Sequence, residues 1–229
     1  MAAARNFGVR RARGGYLAFL DSDDLWRPRK LEIQTAIMRE RGWQICQTEE
    51  IWIRNGLRVN PKEKHRKPSG DIFRASLDLC LVSPSAVMMT PDLFDQVGGF
   101  DESLPVCEDY DLWLRIARDH PVYLIPEPLV VKRGGHADQL SRSTWGFDRF
   151  RALSIKKLLE RGLAGEKRGW AVEALASKVT VLANGARKRK REGEALAYEA
   201  LVADFIGELS DGRRGHSGLL PEQGFSQAD

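Results

Sequence analysis

Tyr16-Leu-Ala-Phe-Leu-Asp-Ser-Asp-Asp-Leu-Trp26 is the stretch whose reading decides the fold. Its first five residues form a continuous apolar run with no alternation, the pattern of a strand covered on both faces in a parallel sheet. Three carboxylates follow at once. Asp21, Asp23 and Asp24 repel one another, so keeping them together costs stability unless a cation or a set of donors compensates.

In an extended segment side chains two apart share a face, so Asp21 and Asp23 point the same way. Open α/β sheets bind ligands beyond the carboxyl ends of their strands, where this cluster lies. Paired carboxylates there suit a hard divalent cation, Mg²⁺ or Mn²⁺, that keeps some waters and completes its shell with substrate phosphates. A plainer reading has Asp24 or Ser22 capping the helix that starts near Pro28. Capping uses one side chain and leaves the others unexplained, which favours the cation.

Outward from this stretch, residues 2–13 read as a helix stopped by Gly14-Gly15, and 28–41 as a second helix closed by Gly42. Strands are expected at 43–48, 51–54, 85–90, 122–125 and 128–132, with a helix at 108–119. The mixture indicates an α/β domain over residues 1–143. From 144 to 210 only helical patterns follow, with apolar stripes at Phe150, Leu153 and Leu158, at Leu175, Val179 and Leu182, and at Tyr198, Leu201, Val202, Phe205 and Leu209. Residues 211–229, rich in Gly, Ser and Gln, read as a disordered tail. A strand buried on both faces needs neighbours on both sides, yet a single helix precedes Tyr16, so the domain is expected to be truncated at its N-terminal side.

The second informative stretch is Gly98-Gly-Phe-Asp-Glu-Ser-Leu-Pro-Val-Cys-Glu-Asp-Tyr-Asp-Leu-Trp-Leu-Arg115. Leu112, Trp113, Ile116 and Ala117 give its helix an apolar face, with Glu108 and Asp109 in the first turn. Acids there are favourable through the helix dipole, and Asp111 with Arg115 makes an ordinary i,i+4 pair. A carboxylate in the same place can serve as general base for a hydroxyl. On the residues alone, both readings stand.

The totals narrow the class. The 229 residues carry 36 Lys and Arg against 32 Asp and Glu, a formal net charge of +4 with no basic face in view, and nucleic acid is not an expected partner. Cys46, Cys80 and Cys107 are far apart and form no CxxC pair, which favours reduced thiols in a cytoplasmic protein. No apolar run is long enough to cross a bilayer. The basic run Ala186–Glu192 is either a solvated helix face or a peripheral contact with anionic lipid at the inner face of the membrane.

The two acidic stretches with their flanks, residues 2–32 and 98–117, closely resemble family 2 glycosyltransferases over roughly residues 2–145. The resemblance implies a partial GT-A fold, a Rossmann-like mixed sheet with flanking helices, here followed by a C-terminal helical extension. It implies inverting transfer of a sugar from a nucleotide-diphosphate sugar to a hydroxyl of a glycan, lipid-linked glycan or cell-surface polysaccharide. Carried over by position, Asp21 and Asp23 resemble the DxD element, with Asp23 the direct metal ligand and Asp21 nearer the ribose or metal. Asp109 matches the catalytic base, Glu108 lies beside it, and Arg5 and Asn6 match a helix near the sugar nucleotide. Lys132–Ser143 resembles a segment after the core, where Gly134 and Gly135 would let the backbone turn closely around a ligand. His136 is there either a ligand, better suited to Mn²⁺ than to Mg²⁺, or a turn histidine. The strands that usually precede these motifs and hold the donor base are lacking, so Met1 is expected to be internal to a longer protein.

Two rivals carry other chemistry. A catalytically impaired fragment could act as an interaction module that depends on a partner. A cysteine hydrolase would use Cys107 with His136, against which Glu108 and Asp109 would raise the thiol pKa.

Overall fold

The computed structural model describes residues 1–60, 66–135, 146–205 and 207. His65, His136, Leu209, His216 and the tail lie outside the described residues.

The centre of the molecule is a mixed sheet with strand order β1-β5-β3-β6-β2. Its strands are β1 (Leu17–Ala18), β2 (Leu25–Trp26), β3 (Ile45–Arg54), β4 (Leu57–Val59), β5 (Val87–Met89) and β6 (Tyr123–Gly134). Only β3 and β6 run parallel; β1 pairs with β5, β5 with β3, β4 with β3 and β2 with β6, all antiparallel. The strand covered on both faces is therefore the start of β3, where Ile45, Cys46, Gln47 and Thr48 are all buried. The run Tyr16–Leu20 differs from the expectation of a central parallel strand. Its paired part is two residues long and borders only β5, Leu17 is buried, and Leu20 is 48% exposed.

The strands expected at 43–48 and 51–54 form one strand, as do those at 122–125 and 128–132. What looked like two ends is a bulge. The β3–β6 register steps from Thr48 opposite Ile125 to Glu49 opposite Pro128. Pro126 and Pro128 have no N–H to give the ladder, so β6 bulges out around them and pairing resumes beyond. β3 then turns into β4 through Asn55-Gly56, both at positive φ (50° and 78°), as a tight hairpin turn requires.

Helices cover both faces. On one side α2 (Lys30–Arg41) brings Met38 onto Cys46, Met88 and Ile125. It begins at Lys30, two residues after Pro28, with its N-cap Arg29 in the left-handed region and no side-chain cap, so neither Ser22 nor Asp24 has that role. Gly42 closes it with φ 64° as expected. The other face packs against α1 (Ala2–Val9), α3 (Phe73–Asp78), α4 (Pro91–Gln96) and α5 (Glu108–Asp119). Thr90 caps α4 by accepting from the Leu93 N–H, with Pro91 in its first turn.

The helices α6 (Phe147–Glu160), α7 (Gly165–Lys188) and α8 (Glu192–Ala200) follow, and α6 and α7 lie on α5 and α3. Ile155, Leu158, Leu175, Val179, Ala186 and Tyr198 join one apolar cluster with Leu77, Tyr110 and Trp113. Each such buried side chain contributes about 1.5–3 kcal/mol of transfer free energy. The helical region thus shares the main core and holds α5 against the sheet.

Candidate active site

The loop Leu20–Leu25 is shaped by Ser85, just before β5. The Asp21 N–H donates to Ser85 Oγ at 3.1 Å, the Trp26 indole donates to the Ser85 carbonyl at 2.8 Å, and the Asp24 N–H closes a turn on the Asp21 carbonyl. The three aspartates then separate. Asp24 points inward: its Oδ1 accepts from the Arg133 N–H at 3.0 Å and its Oδ2 lies 3.6 Å from Lys132 Nζ. Burial raises its pKa, and the Lys132 ammonium offsets only part of this. Asp21 and Asp23 are half-buried on the outer side of the loop.

The first turn of α5 arrives at the same place. Arg5 joins the two stretches, donating from Nη2 to Asp21 Oδ1 at 2.7 Å and from Nη1 to Glu108 Oε1 at 2.6 Å. Residues 21 and 108 thus share one guanidinium, which is 11% exposed and stacks over Phe100 at 5.3 Å. Burial, reinforced by neighbouring Asp109, raises the Glu108 pKa, and Arg5 works against that rise.

Asp109 combines local and outward contacts. Its Oδ1 accepts from the Tyr110 N–H at 2.7 Å, and its Oδ2 accepts from the Cys80 thiol at 3.6 Å. It borders a cavity of about 210 Å³ shared with Glu50, Trp52, Lys67, Cys80, Ser83 and Lys132. The cavity floor is ionic, with Lys67 and Glu50 paired at 3.1 Å and the Lys132 ammonium 3.0 Å from Ser83 Oγ. Burial alone would lower the Lys132 pKa, but Glu50, Asp24, Asp21 and Asp109 outweigh it and raise it. Asp111, four residues before Arg115, is not part of this chemistry. That pair is buried, 3% and 8% exposed, and Arg115 also donates to the Val97 and Gly99 carbonyls. It locks the Gly98–Glu102 loop rather than decorating a surface.

The remaining predicted positions lie close by. The Asn6 amide donates to the Phe100 carbonyl at 2.8 Å and accepts from the Phe100 N–H at 3.0 Å, so it fixes the same loop. Gly135 (φ 94°) sits against the Asn55 side chain of the β3–β4 turn, where a Cβ would clash. The close approach that demands glycine there is to this hairpin. Cys107 is buried at the head of α5, and burial pushes its thiol up to about 12, which removes it as a nucleophile. Within the basic run, Arg187 is paired with Glu192 and Glu199, and Arg191 with Glu194. Ser85, Lys132, Cys80 and Trp52 carry no signature along the chain, being ordinary residue types on separate segments. Only the fold brings them to the carboxylates.

The donor chemistry fits a cation of limited protein ligation. Asp21 and Asp23 offer carboxylate oxygens from one loop, and among the described residues no group of three or more His, Cys, Asp or Glu converges on a point. A divalent ion here would draw the rest of its shell from water and phosphate oxygens.

Residues 1–87 match the model of glycosyl transferase family 2. The match covers the first 87 of the 229 residues. The chain is 28% identical over 171 residues to an uncharacterized glycosyltransferase of Rickettsia typhi, across 69% of the chain and 53% of that protein. It is 28% identical over 152 residues to the Escherichia coli UDP-Glc:α-D-GlcNAc-diphosphoundecaprenol β-1,3-glucosyltransferase WfgD, across 66% of the chain and 56% of WfgD. It spans about half the length of these two relatives. Staphylococcus aureus TarS 1–349, solved in complex with UDP-GlcNAc, superposes with a TM-score of 0.54 at 14% identity, over 94% of this chain and 72% of that one. The likeness is one of fold, GT-A with a mixed α/β sheet. No helix among the described residues is long and apolar enough to cross a membrane.

Proposed function

We propose that the protein transfers a sugar from a nucleotide-diphosphate sugar to an acceptor hydroxyl with inversion, using Asp109 as general base and Asp21 with Asp23 to hold a divalent cation. The observation that carries this reading is Arg5, which bonds both Asp21, 16 residues on, and Glu108, 103 residues on, and so sets a metal-suited carboxylate pair beside a carboxylate that borders a cavity.

Each residue has a definable task. Asp109 borders the cavity, so an acceptor hydroxyl seated there would lose its proton to that carboxylate as its oxygen attacks the anomeric carbon. Attack from the side opposite the leaving diphosphate inverts that centre. The cation, when bound, supplies positive charge against the negative charge growing on the departing diphosphate. Lys132 keeps its charge on the cavity wall and balances Asp109, Glu50 and Asp24. Trp52 offers an aromatic wall on which a sugar ring can pack. The cavity is below the range of about 300–1,000 Å³ typical of drug-sized ligands, which suits one ring rather than an oligomer.

The similarity to WfgD makes UDP-glucose the first donor to try and a sugar linked to a lipid diphosphate the first acceptor class. The deciding experiment incubates the 229-residue chain with Mn²⁺, UDP-glucose or UDP-GlcNAc, and such an acceptor, and follows UDP release with product mass. Release that needs acceptor and is lost with EDTA supports the proposal. Donor consumption that ignores both acceptor and metal would overturn it.

A further inference from the structure

Arg5 does more than join two acids. Its side chain is 11% exposed, its two terminal nitrogens are committed to Asp21 and Glu108 at 2.7 and 2.6 Å, and its face lies over Phe100. These are charge-assisted hydrogen bonds in a partly dry site, the stronger kind. The two carboxylates are not equivalent: Glu108 is 7% exposed in its side chain and Asp21 is 26% exposed. Glu108 also has Asp109 next to it, so losing Arg5 would leave two adjacent acids with little compensation. Arg5 can release the more solvated Asp21 at lower cost than Glu108.

We propose that Arg5 is a positioning residue that competes with the divalent cation for Asp21. With Arg5 on both carboxylates, Asp21 is turned toward α5. When a cation takes Asp21, Arg5 retains Glu108, so α5 and Asp109 keep their place while the loop carries the metal. The cation's affinity is then set by a contest with a built-in guanidinium. This inference rests on the reading of Asp21 as a cation ligand.

The two ends of the bridge predict opposite signs. Removing the guanidinium takes a positive charge from beside the cation, and Arg5→Gln should tighten Mn²⁺ binding on the order of tenfold. Glu108→Gln leaves Arg5 with Asp21 as its only carboxylate partner on this bridge, and should weaken Mn²⁺ binding. Calorimetric titration of Mn²⁺ into the 229-residue chain with UDP present reads both, with circular dichroism as the check on folding. Should Arg5→Gln fail to fold because Glu108 is left buried and uncompensated, the double variant Arg5→Gln/Glu108→Gln removes that charge as well and should also bind more tightly than wild type. Tighter binding in either variant supports the competition. Wild-type binding that is unchanged or weakened in both Arg5→Gln and the double variant, or left unweakened by Glu108→Gln, overturns the competition and leaves the cation reading of Asp21 intact. No Mn²⁺ binding in any of the proteins overturns both.

Discussion

The two acidic stretches look alike along the chain, and the structure treats them differently. Asp21–Asp24 lies on a loop after a two-residue edge strand and takes its shape from Ser85 and β6. Glu108–Asp111 opens a twelve-residue helix packed under α6. Yet each stretch divides its carboxylates the same way, sending one inward to a structural partner and leaving others at the site. Asp24 goes to Arg133 N–H and Lys132, and Asp111 goes to Arg115. Asp21 is held by Arg5, and Asp109 borders the cavity beside Lys132. Carboxylate clustering is thus a mixture of roles, and the partner that each side chain meets separates them.

Substitutions can break or sharpen that division. The largest effect is expected at Asp109: Asp109→Asn should reduce acceptor-dependent transfer by roughly 10²- to 10⁴-fold while leaving the urea midpoint near that of wild type. An equal fall in both would make Asp109 structural like Asp111. Next comes Asp111→Ala, which leaves the Arg115 guanidinium buried without its carboxylate and should destabilise the fold by about 3–5 kcal/mol in equilibrium urea unfolding.

A smaller effect involves Lys30, at the end of the first stretch. It is buried, stacks over Trp26 at 4.3 Å and donates to Gln34 at 2.6 Å, and burial lowers its pKa to about 8. In the unfolded chain its pKa is near 10.4. Between these values the unfolded state binds more protons, so stability should rise with pH from about 8 to about 10.4, by on the order of 2 kcal/mol. Lys30→Met should remove that rise, as measured by urea unfolding at several pH values.

The smallest effect is at Asp24, whose folded pKa is raised by burial. The native state then takes up the proton first as pH falls. Relative to Asp24→Asn, wild type should gain stability as pH falls from 7 toward 4, the gain being complete below the unfolded carboxyl pKa. A wild type that instead loses stability over that range relative to the variant would mean that Lys132 outweighs burial, and that Asp24 resembles an exposed ion pair.

Much of the fold was legible where the signal is local. The helix at 108–119 follows from its apolar spacing, and the stop at Gly42 from the left-handed conformation that glycine takes without strain. Two local signals were present and went unused: Asn55-Gly56 for a hairpin, and Thr90-Pro91 for the start of α4. Other features had no local signal. The prolines that split β6 on paper only bulge it, because β3 supplies a partner on both sides of the gap.

By itself, then, the sequence determined the resemblance to family 2 glycosyltransferases, the mixed α/β class, the helical character after residue 144, and the two acidic motifs, since these rest on contiguous residues and local periodicity. The tertiary structure decided which strand is central, which of the carboxylates are buried, and that Arg5, Ser85, Cys80 and Lys132 stand among them. Those are properties of pairing and burial between segments as much as 109 residues apart, and no contiguous stretch of chain encodes the dielectric or the neighbours that a side chain will meet.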